Sequence, residues 1–337
     1  MTGIKKPKRG LYIANGAIGD FLMTISVFKA IHTVDPQSHL LVLTSRNLKL
    51  LTDIAKQYPF VQLFNINDPL TYLPKLLSYE KTYIFSPYPF GRENIKVQFY
   101  KVILQILTLG TIIRFSKNPQ SRTFFDLEDT YFINQGKISY YFIGQAIDKT
   151  PPRYDYLPDD RIFHNVGVTP QHYIVMHIFA SNPIRSLPEK RWVEIVQELK
   201  QTYPNIPVIL SGSSDDYQKN REFLDSLHCI PCFETTWAER CTMIDNCSLF
   251  IGVDTGITHL ASLLQKKIVE IGNLSNPTWL VTYNPNAIVL FSKKDCICKG
   301  NKLSQCFSEV DGKQYFRCML NVTNKEILDA ASILLKN

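Results

Sequence analysis

Three short segments carry the residue types that group transfer requires. The first is Asn15-Gly16-Ala17-Ile18-Gly19-Asp20, between an apolar run and a helical one. Gly16 and Gly19 let the backbone turn sharply or let a ligand approach it. Asp20 is a carboxylate that can take a proton from a bound hydroxyl; its competing role is to cap the helix that follows. Only one Gly-x-x-Gly is present, so the dinucleotide fingerprint Gly-x-Gly-x-x-Gly fails. The second segment is Ile251-Gly252-Val253-Asp254-Thr255-Gly256-Ile257-Thr258-His259, an apolar strand that ends in Asp-Thr-Gly and turns straight into a helix. The unpaired N–H groups of a first helical turn and the helix dipole favour a phosphate there, the dipole by about 0.3–2 kcal/mol per charge. Gly256 lets phosphate oxygens come close, and His259, one turn in, can add a donor, the alternative for a helical histidine being a structural role. An aspartic-protease reading of Asp254-Thr255-Gly256 asks for a small residue next and strands beyond; Ile257 and a helical run stand there instead. The third segment, Ala180 to Trp192, puts Ser181 and Arg185 in a loop behind another apolar strand. A guanidinium fork there suits a phosphate. Lys190 and Arg191 fall in a first helical turn, a poor place for cations unless an anion is near. The alternative for this segment is a solvated charged turn.

Apolar patterning predicts the elements that hold these segments. Gly10–Ala14 is a strand, followed by a Gly turn and by Phe21, Leu22, Ile25 and Phe28 at helical spacing. Leu40–Leu43, Val61–Phe64, Thr82–Phe85 and Thr111–Arg114 are further strands, and Asn47–Gln57 is a helix stopped by Tyr58-Pro59. A Pro-rich polar stretch, Thr150 to Asp160, reads as a linker. A second series then begins: strands at Tyr173–His177, Pro207–Leu210, Leu249–Val253 and Lys267–Ile271, a helix opened by Pro188-Glu189, another from Thr255 to Gln265, and a last amphipathic helix at Asn324–Leu335. Short apolar strands alternating with helices imply parallel sheets covered on both faces. The expected class is α/β, two doubly wound Rossmann-like domains facing a central cleft, with ligands beyond the carboxyl ends of the strands. Asp20 would then confront the phosphate-binding groups of the second domain.

Composition narrows the rest. The chain has 337 residues, 45% hydrophobic and 20% charged, which excludes a disordered chain and allows about two cores. No run of about 20 uncharged apolar residues exists to span a membrane, and the basic start Lys5 to Arg9 leads into a Gly-rich turn rather than a secretory signal. The expected location is therefore cytoplasmic. Residues 1–168 hold 20 Lys+Arg against 13 Asp+Glu, and residues 169–337 hold 17 of each, so the whole net charge of +7 lies in the first half. That asymmetry fits an anionic partner, although ordinary solubility charge explains it too. No nucleic-acid-binding module is recognisable, and none is expected as a partner.

In its ordered set of motifs the chain resembles glycosyltransferase family 9, the ADP-heptose:lipopolysaccharide heptosyltransferases. The set comprises the early Gly-x-x-Gly-Asp, the segment Arg185 to Trp192, Ser211-Gly212, and Gly252 to His259, and its order and spacing run from about Leu11 to Leu335. The resemblance implies a GT-B fold: an acceptor domain over residues 1–160, a nucleotide-sugar domain over 161–322, and a helix over 323–337 that crosses back to the first. It implies inverting, metal-independent transfer with Asp20 as general base. Ser181, Arg185, Lys190, Asp254, Thr255, Gly256 and His259 fall at donor-binding positions, Arg185 standing where relatives often carry Lys. No Asp-x-Asp occurs in the chain, and positive charge at the phosphates can replace a divalent ion. The implied partners are ADP-heptose, an anionic lipid-linked glycan acceptor, and the cytoplasmic face of the inner membrane, held peripherally. Variants of this reading use another nucleotide sugar, a protein acceptor as in autotransporter heptosyltransferases, or binding of a nucleotide sugar without catalysis.

Eight cysteines remain. Cys229, Cys232, Cys241 and Cys247 sit in strand and helix stretches as buried thiols. Cys296, Cys298, Cys306 and Cys318 cluster as C-x-C-x7-C-x11-C, which could hold structural Zn or Fe, though without the C-x-x-C knuckles of zinc ribbons. Free thiols and, in an oxidising setting, disulfides are the alternatives. Iron-containing protein heptosyltransferases among the family's relatives carry similar late cysteines.

Overall fold

The computed structural model describes residues 48–78 and 153–272 without a break, then 284–292 and 306–336, and elsewhere separate strands and single residues. The chain divides into two compact units, Met1–Asp155 and Tyr156–Asn337. The break falls inside the expected linker. Residues after it are drawn into the second unit: the Tyr156 hydroxyl donates to Asp245 Oδ2 at 2.7 Å, and the Asp159 N–H donates to Thr242 Oγ1 at 2.7 Å. On the other side, the Tyr154 hydroxyl donates to the Ile54 carbonyl at 2.5 Å and anchors its segment to the first unit.

The first unit is an eight-stranded sheet: β1 (Lys8–Ala14), β2 (His39–Thr44), β3 (Val61–Asn65), β4 (Lys81–Ser86), β5 (Thr111–Ser116), β6 (Tyr131–Asn134), β7 (Lys137–Phe142) and β8 (Gln145–Lys149). Its order is β3-β2-β1-β4-β5-β6-β7-β8. Strands β1 to β6 pair in parallel, and β6-β7-β8 form an antiparallel meander. Phe21, Leu22 and Ile25 are helical and fully buried, as their spacing predicts. Helices α1 (Leu48–Ala55) and α2 (Pro69–Leu77) bury Leu51, Ile54, Tyr72 and Leu76, the last two against Leu41 and Leu43 of β2.

The second unit opens with α3 (Arg161–Val166) and builds a six-stranded, all-parallel sheet from β9 (Ile174–His177), β10 (Val208–Ser211), β11 (Ile230–Cys232), β12 (Leu249–Val253), β13 (Ile268–Ile271) and β14 (Ala287–Leu290). The order is β11-β10-β9-β12-β13-β14, the doubly wound arrangement. Strands β9, β10, β12 and β13 are buried along their whole length, which is why they read as unbroken apolar runs instead of alternating ones. The helices are α4 (Glu189–Thr202), α5 (Ser214–Lys219), α6 (Arg221–Ser226), α7 (Trp237–Asp245), α8 (Gly256–Leu263), α9 (Arg317–Leu320) and α10 (Asn324–Lys336). A hairpin of β15 (Phe307–Val310) and β16 (Lys313–Phe316) precedes α9. The last helix buries Ile327, Ala330, Ala331 and Leu334 in the same core as Trp192, Ile195 and Leu199 of α4. Each Ile or Leu buried in this way contributes about 1.5–3 kcal/mol.

Candidate functional site

The strand order of the second unit reverses between β9 and β12, which lie side by side with Gly252 opposite His177. Loops leaving the carboxyl ends of two such strands diverge and leave a crevice between them, the usual ligand position in this architecture. Two of the three sequence segments leave this one point. Ser181 and Arg185 follow β9; Asp254, Thr255 and Gly256 follow β12.

At the end of β12 the chain enters α8 under tight constraints. Thr255 is the N-cap, in extended conformation, and its side chain accepts from the Thr258 N–H at 3.4 Å. The Thr258 hydroxyl, wholly buried, donates to the Val253 carbonyl at 2.5 Å and locks the turn. A Cβ at Gly252 would stand 2.7 Å from Phe250 Cε1 and 3.1 Å from Thr258 Oγ1, so only glycine lets the helix start seat this closely on the strand. Asp254 Oδ1 and His259 Nε2 lie 3.9 Å apart, both about one-eighth exposed. This is a rigid helix N-terminus with a carboxylate and an imidazole at its rim, and its polar capacity fits an oxyanion with hydroxyl groups attached.

The β9 loop is equally built. Asn182 caps a short 3-10 turn, Pro183–Arg185, by accepting from the Ile184 N–H at 3.2 Å. The Ser186 hydroxyl donates to the Ile178 carbonyl at 2.6 Å and accepts from Trp192 Nε1 at 3.2 Å. The β16 strand packs against the turn from outside. Arg185 is half-buried on this frame, and among the described residues its guanidinium has no hydrogen bond or ion pair. Lys190 is exposed in the first turn of α4 and likewise has no partner among the described residues; Ser181 is exposed. Arg191, the other cation of that turn, serves the fold: it donates to Asn324 Oδ1 and to the carbonyls of Leu320 and Val322 at 2.6–3.2 Å. Its place in a first turn is therefore repaid by carbonyls at the end of α9, with no ligand needed.

Two buried ionisable groups escaped the motif-based reading. His177 closes β9; its Nδ1–H donates to the Ser211 carbonyl at 2.9 Å. Burial, with the Arg240 charge in support, pushes its pKa down to about 4, so it is neutral. Glu270, fully buried on β13 opposite Gly252, accepts from the Val281 N–H at 2.9 Å through Oε2, and its Oε1 has no partner among the described residues. Burial first, then the nearby Asp254 charge, pushes this carboxyl well above its usual range. The signal was legible as the one acid inside the apolar run Ile268-Val269-Glu270-Ile271.

The remaining predicted residues divide. Asp20 and Gly16 lie outside the described residues; Gly19 is helical and partly exposed. Cys296 and Cys298 also lie outside them. Cys306 and Cys318 are both buried at the two ends of the β15–β16 hairpin, whose base is closed by Arg317 N–H donating to the Cys306 carbonyl at 3.1 Å. Among the described residues no group of three or more metal-binding side chains occurs. Burial pushes Cys229 and Cys232 up to about 11 and Cys247 up to about 12, and Cys241 higher still, so these are inert thiols.

Comparison with known proteins agrees with the fold. The family model of glycosyltransferase family 9 (heptosyltransferase) matches residues 138–306. No curated protein matches the chain. Among solved structures, Escherichia coli ADP-heptose lipopolysaccharide heptosyltransferase II superposes with a TM-score of 0.66 at 13% identity, over 97% of this chain and 98% of that one. E. coli heptosyltransferase WaaC, solved with ADP-2-deoxy-2-fluoro heptose, gives 0.57 at 14% identity, over 96% and 99%. The iron-containing dodecameric glycosyltransferase TibC of enterotoxigenic E. coli gives 0.58 at 16% identity, over 98% of this chain and 77% of that one.

Proposed function

The chain belongs to glycosyltransferase family 9, the heptosyltransferases, and on that premise we propose that it transfers heptose from ADP-heptose to a lipopolysaccharide core acceptor of the Kdo or heptose type. The observation that carries the donor half is that the α8 N-terminus and the loop holding Arg185, whose guanidinium has no partner among the described residues, leave the same switch point of the second sheet. An ADP-sugar brings a diphosphate, and two N–H sources aimed at oxyanions suit it. Gly256 gives the phosphates access; Thr255, Asp254 and His259 face its hydroxyls; Ser181 and Lys190 stand at the mouth. The neighbour solved with an ADP-heptose analogue supports this choice of nucleotide and sugar.

Transfer then needs one base. In our reading Asp20 takes the proton of the acceptor hydroxyl, whose oxygen attacks the anomeric carbon from the face opposite the diphosphate. The carbon–oxygen bond to the diphosphate breaks, ADP leaves with the electron pair, and the configuration inverts. Charge developing on the leaving oxygen is stabilised by α8 and Arg185, in the place a divalent ion takes in other transferases. The glycines of the first motif, Gly16 and Gly19, shape the acceptor loop.

The basic first half supports a peripheral seat on the cytoplasmic face of the inner membrane, where an anionic lipid-linked acceptor would be met. Among the described residues no helix is long and apolar enough to cross a membrane. A structural Zn or Fe on Cys296, Cys298, Cys306 and Cys318 is supported by the hairpin that carries the last two to its ends and by the iron-containing neighbour. Four thiolates suit either metal, and elemental analysis of purified protein decides it.

The test of the donor and acceptor is a panel of nucleotide sugars (ADP, GDP, UDP and CDP forms) incubated with deacylated lipopolysaccharide core and, separately, with an unmodified autotransporter passenger. Heptose transfer from ADP-heptose to the core is expected. Transfer from another donor, or to the polypeptide, replaces that substrate assignment with the corresponding one. Tight binding without turnover of any donor replaces it with a nucleotide-sugar-binding role.

A further inference from the structure

Beside the β12 cradle, the carboxyl end of β10 holds a second set of polar groups that the motifs do not include. Arg240, one turn into α7, reaches back to this strand end. Its Nη2 donates to the Gly212 carbonyl at 2.9 Å, and its Nη2 and Nε donate to Thr235 Oγ1 at 3.1 and 3.2 Å. The guanidinium thus bridges the loop after β10 and the loop before α7. Its partners are all neutral oxygens: among the described residues no carboxylate lies within ion-pair distance, and Nη1 has no hydrogen bond. The Ser211 hydroxyl, 1% exposed at the end of β10, has no partner among the described residues either.

A cation largely removed from water and balanced only at longer range, by the charge of Asp216, is unfavourable unless a ligand completes it. Burial pushes the pKa of Arg240 down from its usual range, although an arginine stays charged in any accessible pH. Its field reaches the end of β9, where it helps hold His177 neutral. The glycine beside it is held open by packing: a Cβ at Gly212 would stand 2.6 Å from Phe233 Cε1 and 3.1 Å from Phe179 Cδ2. The aromatic wall so formed, with Phe179 and Phe233 edge to face at 6.1 Å, fixes the carbonyl that Arg240 uses.

We propose that Arg240 is a donor-binding residue, its free Nη1 edge contacting a phosphate oxygen of the nucleoside diphosphate while its other edge is fixed to Gly212 and Thr235. This rests on the donor reading above and adds a charge that the strand-and-helix motifs do not contain. The bridge to two loops makes the guanidinium rigid, so little side-chain freedom is lost when the ligand arrives.

The test is calorimetric titration of the full chain and its Arg240→Gln and Arg240→Lys variants with ADP and with adenosine. Glutamine can still bond the Gly212 carbonyl but carries no charge, and thermal melts verify folding of both variants. A phosphate contact predicts that Arg240→Gln weakens ADP about 10- to 100-fold, the range for a hydrogen bond to a charged group, and changes adenosine less than about 3-fold. Arg240→Lys should recover part of the loss. Equal weakening of ADP and adenosine would overturn the proposal by showing that Arg240 only props the two loops, and unchanged ADP affinity would overturn it outright. If the unaltered chain binds no nucleoside diphosphate among ADP, GDP, UDP and CDP, the donor reading falls and this proposal falls with it; normal binding with an indifferent Arg240 sinks this proposal alone. Should Arg240→Gln not fold, the Arg240→Lys variant carries the test through the same ADP-to-adenosine ratio.

Discussion

The two sheets begin alike and end differently. Both set their first six strands in the order three-two-one-four-five-six, all parallel, with the reversal between the first and fourth. The second sheet ends there, at β14, whereas the first continues from β6 into two antiparallel strands, β7 and β8. A parallel sheet buried on both faces tolerates little variation, since each added strand needs a crossover to cover it. A meander needs only hairpins and can change in length at low cost. The contrast fits the proposed division of labour, with the diphosphate held by the second unit and the acceptor by the first. Changes in the first unit should therefore alter turnover, and changes at the second unit's strand ends should alter donor affinity or stability.

The largest effect is expected from Asp20→Asn. Turnover should fall by about 10²–10⁴, the usual worth of a general base, with the dissociation constant of ADP-heptose within about 2-fold of the unaltered value. Near-normal turnover would remove Asp20 from the reaction, and a lost donor site would break the division between units. Next comes His177. Its folded pKa, about 4, lies below the unfolded value near 6.5, so the unfolded chain binds the proton first as pH falls. Stability is present above pH 6.5 and is lost toward pH 4, by about 3 kcal/mol in full. Urea midpoints measured across that window should show this slope, and His177→Asn should flatten it; an identical slope in both proteins assigns the acid sensitivity elsewhere.

Arg185→Ala ranks third: donor affinity about 10- to 100-fold weaker by loss of a charge-assisted contact, read as a rise in donor KM at a thermal midpoint within a few degrees of the original. A fall in kcat with donor KM unchanged would move Arg185 from binding to chemistry. Glu270→Gln is the mildest. The native carboxyl titrates well above the unfolded value, so Glu270 favours folding at low pH and loses that contribution as pH rises from about 4.5 through the raised native pKa. The amide replacement should therefore stabilise the protein at pH 8 relative to pH 5, by about 1–2 kcal/mol, the cost of a buried polar group left unmatched. Greater instability at pH 8 would mean that the ionised carboxylate has a partner in the loop over β13.

Much of this was legible before any coordinates. Buried parallel strands announce themselves as apolar runs, and the turn from Val253 to Gly256 is written in residues with one local solution: a cap, a glycine and a helix. The fate of Arg191 was not, because its partners, Leu320, Val322 and Asn324, lie far along the chain and only tertiary packing brings them near. The same holds for Arg240, whose helical position says nothing about the Gly212 carbonyl it meets. The meander escaped because short strands joined by hairpins share their composition with loops. In each case local periodicity carried the element, and long-range pairing carried the role.

The measurement that bears most directly on the donor site is a crystal structure of the chain soaked with ADP. Phosphate oxygens within hydrogen-bond distance of the backbone N–H groups at Gly256 and Ile257, with the Arg185 guanidinium on the same diphosphate, are the expected result. A diphosphate seated away from the β9–β12 switch point, leaving the start of α8 untouched, would contradict it.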